Sequence, residues 1–307
     1  MLFLVFNRAS TTARVFESIR QARPRRLYVA ADGPRASRAG EGARCDEVRR
    51  IATAVNWPCE VNTLFRAYNL GCKQGVAQGI SWFFAHEQEG IILEDDVLPD
   101  PSFFGYCEAL LERYRADGRV AAIAGCNQIS DYYTAADSYF FTRQNHVWGW
   151  ASWRRAWQHF EIDMTSWPEW DKAGGLQRLI EDPCAEHYWR QRFERVHQGQ
   201  IDTWDYQWMY ACWRSGGLTA LPAHNLTTNL GLGFGMEATH TSKGVARFVR
   251  DNPARQAEWP LRHPACVLRN KEADRLIQRH VTGLTRLRCL KRAAHRALQR
   301  LVVRADK

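Results

Sequence analysis

A chain of 307 residues with 45% hydrophobic and 24% charged side chains is long enough for one large α/β domain or two small ones, and its make-up is that of an ordinary globular protein. No apolar run approaches the roughly 18–20 residues of a membrane-crossing helix. The net charge of +9 belongs to the C-terminal end: residues 262–307 hold 13 Lys/Arg against 3 Asp/Glu, and the rest holds 29 against 30, so the body lacks the basic face of a nucleic-acid binder.

In chain order, Leu2–Phe6 predicts a first strand. With its Met1 it is too short for a signal-peptide core, and Asn7-Arg8 follow at once, so nothing here directs export. Ser10, Thr11 and Thr12 are N-cap candidates for a helix reaching about Gln21. Arg26–Ala31 predicts a second strand, closed by the turn residues Asp32-Gly33-Pro34. A helix over Glu41–Val55, a strand over Cys59–Phe65 and a helix over Gly75–His86 follow. After them come a strand at Gly90–Leu93, a helix over Pro101–Arg115 and a strand over Arg119–Ala124. This rhythm predicts an α/β fold, an open and mostly parallel Rossmann-like sheet with helices on both faces. Right-handed crossovers bring the loops after successive strands to one rim, so Arg8, Asp32 and the residues after Leu93 should share it.

Three consecutive carboxylates, Glu94-Asp95-Asp96, follow the bare apolar run Gly90-Ile-Ile-Leu93. At the carboxyl end of a buried strand they repel one another unless a positive group sits among them. A Mg²⁺ or Mn²⁺ ion bound to a diphosphate suits such a site, because these ions take one or two carboxylates plus substrate phosphates. An acidic surface turn is the plainer alternative.

The middle of the chain changes character: ten of its 13 tryptophans lie between Trp148 and Trp213. Two clusters stand out, His146-Val-Trp148-Gly-Trp150-Ala-Ser-Trp153 and Asp202-Thr-Trp204-Asp205-Tyr-Gln-Trp208. Most of these rings are expected in the core. An aromatic face beside a carboxylate also suits a sugar, the ring covering the apolar C–H face and the acid taking a hydroxyl. Asn229-Leu-Gly-Leu-Gly-Phe-Gly-Met236 lacks the strand and helix that frame a dinucleotide loop and reads better as a loop that closes on a ligand, with His240 at its end. Nine scattered cysteines, an odd number with no Cys-x-x-Cys, argue against a disulfide scaffold or a zinc site and favour a reducing cytoplasm. In the tail, Ile277, Val281, Leu284, Leu287, Leu290, Ala294, Leu298 and Leu301 recur at helical steps with Arg and Lys between. Such a basic amphipathic helix either lies on an anionic membrane surface or docks its apolar face on the body.

Several pieces converge on one family: Leu4-Val-Phe-Asn-Arg8, Ala31-Asp-Gly33, Asn69-Leu-Gly71, Ile91-Ile-Leu-Glu-Asp-Asp-Val-Leu-Pro99, Trp148-Gly-Trp-Ala-Ser-Trp153, Asp202-Thr-Trp-Asp-Tyr-Gln-Trp208 and Ala238-Thr-His240. In this order the chain resembles bacterial nucleotide-diphospho-sugar transferases of the GT-A type, related to glycosyltransferase family 2 and most similar to the N-acetylglucosaminyltransferase I branch. The resemblance covers residues 2 to about 241 and leaves out the basic tail. It implies a donor half at 1–118, an acceptor half at 119–250 and a helical tail at 251–307. It also implies a Mn²⁺ or Mg²⁺ ion bound by Asp96 with His240 nearby. Glu94, Asp95, Arg8 and Asp32, with Asn69 and Lys73, would hold the nucleotide-sugar donor, probed first as UDP. Asp205 would be the catalytic base of an inverting transfer. Trp148, Trp150 and Trp204 would shape the sugar pocket. The motif here is Glu-Asp-Asp where the family has Asp-x-Asp, which leaves open which carboxylate binds metal. A cytoplasmic enzyme with a basic tail would suit a glycan or lipid-linked acceptor at the inner membrane face, and no nucleic acid. Two rivals are a nucleotidyltransferase, which needs a Gly-rich basic loop that Phe6-Asn-Arg-Ala-Ser10 does not supply, and a non-catalytic sugar-binding or membrane-surface protein, which would not need the acidic triplet.

Overall fold

In the computed structural model, which describes residues 1–231 and 252–284, the first strand, β1 (Leu2–Val5), buries every side chain. It does so on two faces: Leu2 and Leu4 belong to one apolar cluster, Phe3 and Val5 to another. That is why the strand reads as an unbroken apolar run. The remaining described strands are β2 (Arg26–Ala31), β3 (Glu60–Phe65), β4 (Glu89–Glu94), β5 (Val97–Pro99), β6 (Val120–Ala124), β7 (Tyr139–Thr142), β8 (Trp150–Trp153), β9 (Leu218–Pro222) and β10 (Thr227–Asn229). The described helices are α1 (Ala9–Ala22), α2 (Glu41–Ala52), α3 (Gly71–His86), α4 (Ser102–Arg113), α5 (Arg154–Trp157), α6 (Trp167–Lys172), α7 (Gly175–Leu179), α8 (Pro183–His197), α9 (Asp205–Arg214) and α10 (Lys271–His280).

Eight strands form one sheet in the order β3-β2-β1-β4-β8-β6-β9-β7. β8 pairs antiparallel with both β4 and β6, and β7 antiparallel with β9, so the other six strands all point one way. The α/β architecture with a mostly parallel sheet therefore stands, though β8 and β7 make it mixed. Helices cover both faces: Val15, Phe16, Val48, Phe103 and Leu110 pack in the Phe3 cluster, and Ala77, Ile80, Phe83, Trp208 and Ala211 in the Leu2 cluster. A two-stranded ribbon of β5 and β10 clips onto the end of β4.

Local differences from the sequence expectations have physical causes. Arg8, not a residue of Ser10–Thr12, is the N-cap of α1. The Thr11 and Thr12 hydroxyls sit inside the helix and donate back to the Arg8 carbonyl at 3.3 and 2.6 Å. Helix α3 begins at Gly71, one turn before Gly75, because a carboxylate described below holds the N–H groups of Leu70 and Gly71. Seven described cysteines are free, and Cys184 is disulfide-bonded, which the odd count and scattered spacing did not foretell. No described helix is long and apolar enough to cross a membrane.

Helix α3 is seated by glycine. A Cβ built on Gly90 in β4 would lie 2.4 Å from Cζ of the fully buried Phe83. Gly90→Val is therefore expected to cost about 1–3 kcal/mol through overpacking, read from the urea unfolding midpoint. An unchanged midpoint would contradict this close approach.

Candidate active site

The register places β1 beside β4, with Leu4 opposite Glu94, so the chain beyond β1 meets the chain beyond β4. Glu94 ends β4, and Asp95 and Asp96 form the turn into β5, buried at 2% and 6% exposure. Arg8 reaches across: its guanidinium pairs with Asp95 Oδ1 and donates through Nη1 to Asp96 Oδ2 at 2.8 Å. The Phe6 N–H donates to Asp95 Oδ2 at 3.2 Å, and the Leu230 N–H to the Asp96 carbonyl at 2.6 Å. One cation does not balance three carboxylates. Burial, then the fields of Asp96 and Asp95, push the Glu94 carboxyl up to about 8 against the opposing pull of Arg8, with Asp205 adding to the rise. Burial also lifts Asp95 to about 6, with Arg8 holding it lower than burial alone would. Burial works against the Arg8 charge, but Asp95 and Asp96 outweigh it and hold the guanidinium protonated.

Asp32, at the end of β2, sits on the same rim in a different role. Its carboxylate accepts from Gly33 N at 2.9 Å, Leu70 N at 2.9 Å, Gly71 N at 3.1 Å and Asn69 Nδ2 at 2.9 Å. It therefore anchors the turn that opens α3, and Asn69 is half of that anchor. A Cβ on Gly33 would lie 2.4 Å from the Tyr68 backbone, so the two loops touch directly. Lys73, a turn into α3, pairs with Asp163 at 2.9 Å instead of with the triplet. Asn7 Nδ2 donates at 2.8 Å to Glu41, whose fully buried carboxyl is held down at about 2 chiefly by hydrogen bonds from Arg35.

Asp205 is the first residue of α9. Its Oδ1 accepts from Tyr206 N at 3.0 Å and from the Thr203 hydroxyl, and its Oδ2 takes no hydrogen bond among the described residues. Helix α9 is oriented by rings. Trp204 stacks on Trp150 at 5.9 Å between centroids, and Trp208 lies 5.6 Å from Trp150 and 5.1 Å from Trp157. Trp150 and Trp204 are 1% and 3% exposed. They belong to the core that positions Asp205 and show no open face to a ligand. Trp148 is half-buried, and its carbonyl accepts from Thr227 Oγ1 at 2.8 Å.

The two acidic motifs lie within each other's electrostatic reach. Besides raising Glu94, Asp205 acts on the Cys72 thiol, which desolvation and then Glu94, Asp205, Asp202 and Asp96 push up to about 12. Asp202 lies beside the start of α3, its Oδ2 3.8 Å from where a Cβ on Gly71 would stand. Cys72 was not singled out from the sequence. Its only signal there is its place one residue after Asn69-Leu-Gly71. Arg35 and Glu41 were equally silent. His240, Gly233 and Gly235 lie outside the described residues.

Among the described residues no group of three or more His, Cys, Asp or Glu side chains is arranged to enclose a metal ion. The donor set suits an ion that brings its own phosphate ligands: two buried carboxylates at Asp95 and Asp96, beside a Glu94 that burial and then their charge lift.

No family model matches this sequence, and no curated protein matches it. Among solved structures the chain is similar to the mannosyltransferase PcManGT from Pyrobaculum calidifontis, in complex with GDP-Man and Mn²⁺, at 19% identity and a TM-score of 0.38. The match covers 53% of this chain and 48% of that one, about half of each.

The raised Glu94 has a consequence for stability. Below its ordinary value of 4.5 the carboxyl is neutral whether the chain is folded or not. Above it the unfolded chain gives up a proton that the folded chain keeps until about pH 8, so stability falls as pH rises through that window. Glu94→Gln should flatten the decline in urea midpoint over this range in metal-free protein. Equal slopes in both proteins would contradict the raised Glu94 carboxyl.

Proposed function

We propose that this chain is a metal-dependent glycosyltransferase of the GT-A type. It moves a sugar from a nucleoside diphosphate, expected to be UDP, to an acceptor hydroxyl with inversion. The observation that carries the reading is the meeting of Glu94-Asp95-Asp96 with Asp205, motifs more than a hundred residues apart in the chain, at one rim of the sheet. That rim is where open α/β sheets bind ligands.

In this reading residues 1–118 hold the donor and 119–250 the acceptor. Asp96, with Asp95 beside it and His240 as the further expected ligand, would hold a Mn²⁺ or Mg²⁺ ion. When bound, such an ion neutralises charge on the departing diphosphate as a Lewis acid. Glu94 contacts the donor sugar or ribose. Arg8 keeps the triplet together before the donor arrives and offers its guanidinium to the phosphates afterwards. Asp32 and Asn69 set the turn at Leu70-Gly71, against which the nucleotide lies. Lys73 closes the donor side through Asp163.

Asp205 is fixed at its helix start by Oδ1 and has Oδ2 to take the proton of the attacking hydroxyl. The bond from the acceptor oxygen to the anomeric carbon forms as the bond to the diphosphate breaks, on opposite faces, which inverts the centre. Trp150 and Trp204 contribute by holding α9 in place, and Trp148, half-buried, is the one of the three with surface left for the acceptor. The acceptor is a glycan or lipid-linked glycan of bacterial surface-polysaccharide assembly, met at the inner face of the membrane. Helix α10 docks Ala273 and Ile277 on Phe140 and Leu221 and leaves Lys271, Arg275 and Arg279 exposed, so what it can offer an anionic surface is its charge and not its apolar face. Residues 285–307 of the basic tail lie outside the described part.

Asp205→Asn tests the reading. Across a panel of UDP- and GDP-sugars, turnover should fall by at least about 10²-fold, the usual worth of a general base, while donor affinity stays within about 2-fold. Turnover close to that of the wild type would remove Asp205 from the role of base.

A further inference from the structure

Two cations already placed on the rim are committed to carboxylates: Arg8 to Asp95 and Asp96, and Lys73 to Asp163. Arg192 on α8 is not. Among the described residues it makes no ion pair, and its one hydrogen bond runs from Nη2 to the Tyr188 hydroxyl at 3.3 Å. Yet it stands beside the proposed base. Its guanidinium lies 5.3 Å from the ring centroid of Tyr206, the residue after Asp205. Burial weakens its charge, but the hydrogen bond to Tyr188 and the fields of Tyr206, Tyr188 and Asp205 outweigh that. None of the chemistry assigned above uses Arg192, Tyr188 or Tyr206.

The guanidinium is held by rings. Tyr188, one turn earlier on α8, and Tyr206, at the start of α9, both lie under it, at 5.4 and 5.3 Å. Both tyrosines lean edge-on against Trp189, which is 2% exposed, so the platform is anchored in the core. A guanidinium carries five N–H donors and stays charged. Elsewhere in this protein such donors are spent: Arg49 and Arg155 give theirs to main-chain carbonyls, and Arg190 to Asp171 and Glu186. Arg192 is half-buried, but its unpaired Nε and Nη1 are not among the buried orphan atoms, so both open to solvent. The result is a positioned cation with accessible donors and no counter-charge, on the acceptor side of Asp205.

We propose that Arg192 binds an oxyanion carried by the acceptor, a carboxylate or a phosphate group on a sugar. A cation partly removed from water and left without a counter-charge favours an anion over a neutral hydroxyl, because each charge-assisted hydrogen bond is about twice as strong as a neutral one. Arginine is also the side chain whose planar fork matches carboxylate and phosphate oxygens. The tyrosine rings beside it offer faces for the C–H side of the sugar that bears the charge. Asp205 repels a second anion at its own carboxylate, so the oxyanion belongs on a substituent of the acceptor other than the attacking hydroxyl. Calling the ligand the acceptor rests on the glycosyl-transfer reading; the anion site itself does not.

The test uses the full chain at low salt and three probes: methyl glucoside, which is neutral, methyl glucuronide, a carboxylate, and glucose 1-phosphate. Binding is followed by saturation-transfer NMR titration. At least one of the two anions should bind about 10-fold tighter than the glucoside, the scale of one charge-assisted hydrogen bond, and which one gains identifies the group. Arg192→Gln keeps the stem over the rings and removes the charge, so it should fold and should bring the favoured anion down to the level of the glucoside. Arg192→Lys should keep part of the preference, and both variants should leave Mn²⁺-dependent UDP binding unchanged. If neither anion binds better than the glucoside, or if Arg192→Gln keeps the preference, the proposal is overturned. The expected pattern in a protein that binds no nucleotide would uphold the anion site and remove the transferase reading, whereas nucleotide binding without the anion preference would do the reverse.

Discussion

Mutual repulsion among carboxylates at the end of β4 is the constraint on which the rest of this structure depends. Glu94, Asp95 and Asp96 are consecutive, the latter two are nearly inaccessible, and Asp205 adds a fourth charge to the same field. Water screens little of this, so the fold answers with geometry. Arg8 is placed at the N-cap of α1, one strand away, and its planar guanidinium takes Asp95 and Asp96 together. Taking away one member of such a buried set costs several kcal/mol because the remaining charges lose their partner. The pairing is still incomplete: burial raises the Glu94 carboxyl first, and the fields of Asp96 and Asp95 add to the rise against the pull of Arg8. A site left short of positive charge in this way suits a cationic partner.

Around that rim the protein uses stiff elements. Asp32 spends both carboxylate oxygens on the turn before α3, which fixes where Asn69, Gly71 and Cys72 stand. Asp205 depends on the indole cluster of Trp150, Trp157, Trp204 and Trp208, whose close ring contacts leave α9 little freedom to rotate. The β5–β10 ribbon clips the triplet from a third side, with Asn229 opposite Val97 and the Leu230 N–H on the Asp96 carbonyl. Each of these contacts fixes the position of an acidic side chain on the rim.

Much of this was legible in the sequence where one residue's neighbours in the chain decide its fate. The bare runs at Leu2–Val5 and Ile91–Leu93 are buried on both faces, so their pattern announced them as interior parallel strands. The shared rim followed from the alternation of strands and helices alone. What could not be read depended on partners far along the chain. Asp32 looked like a nucleotide contact until its donors, some 37 to 39 residues later, occupied it. Trp150 and Trp204 looked like a sugar platform, yet their rings face each other, and composition does not separate a buried indole from an exposed one. The strands β7 to β10 sit in a segment whose aromatic density hid the alternation that marks strands. Ser10–Thr12 carried the side chains of an N-cap, but Arg8 is drawn to that place by the acidic triplet, and the Thr11 and Thr12 hydroxyls bond back to its carbonyl.

The central claim is that the triplet holds a divalent cation together with a nucleoside diphosphate, and calorimetric titration of UDP with and without Mn²⁺, on wild type and on Asp96→Ala, tests it most directly. The account predicts binding that requires Mn²⁺ in the wild type and disappears in the variant. Binding that ignores Mn²⁺, or survives the loss of Asp96, would contradict it.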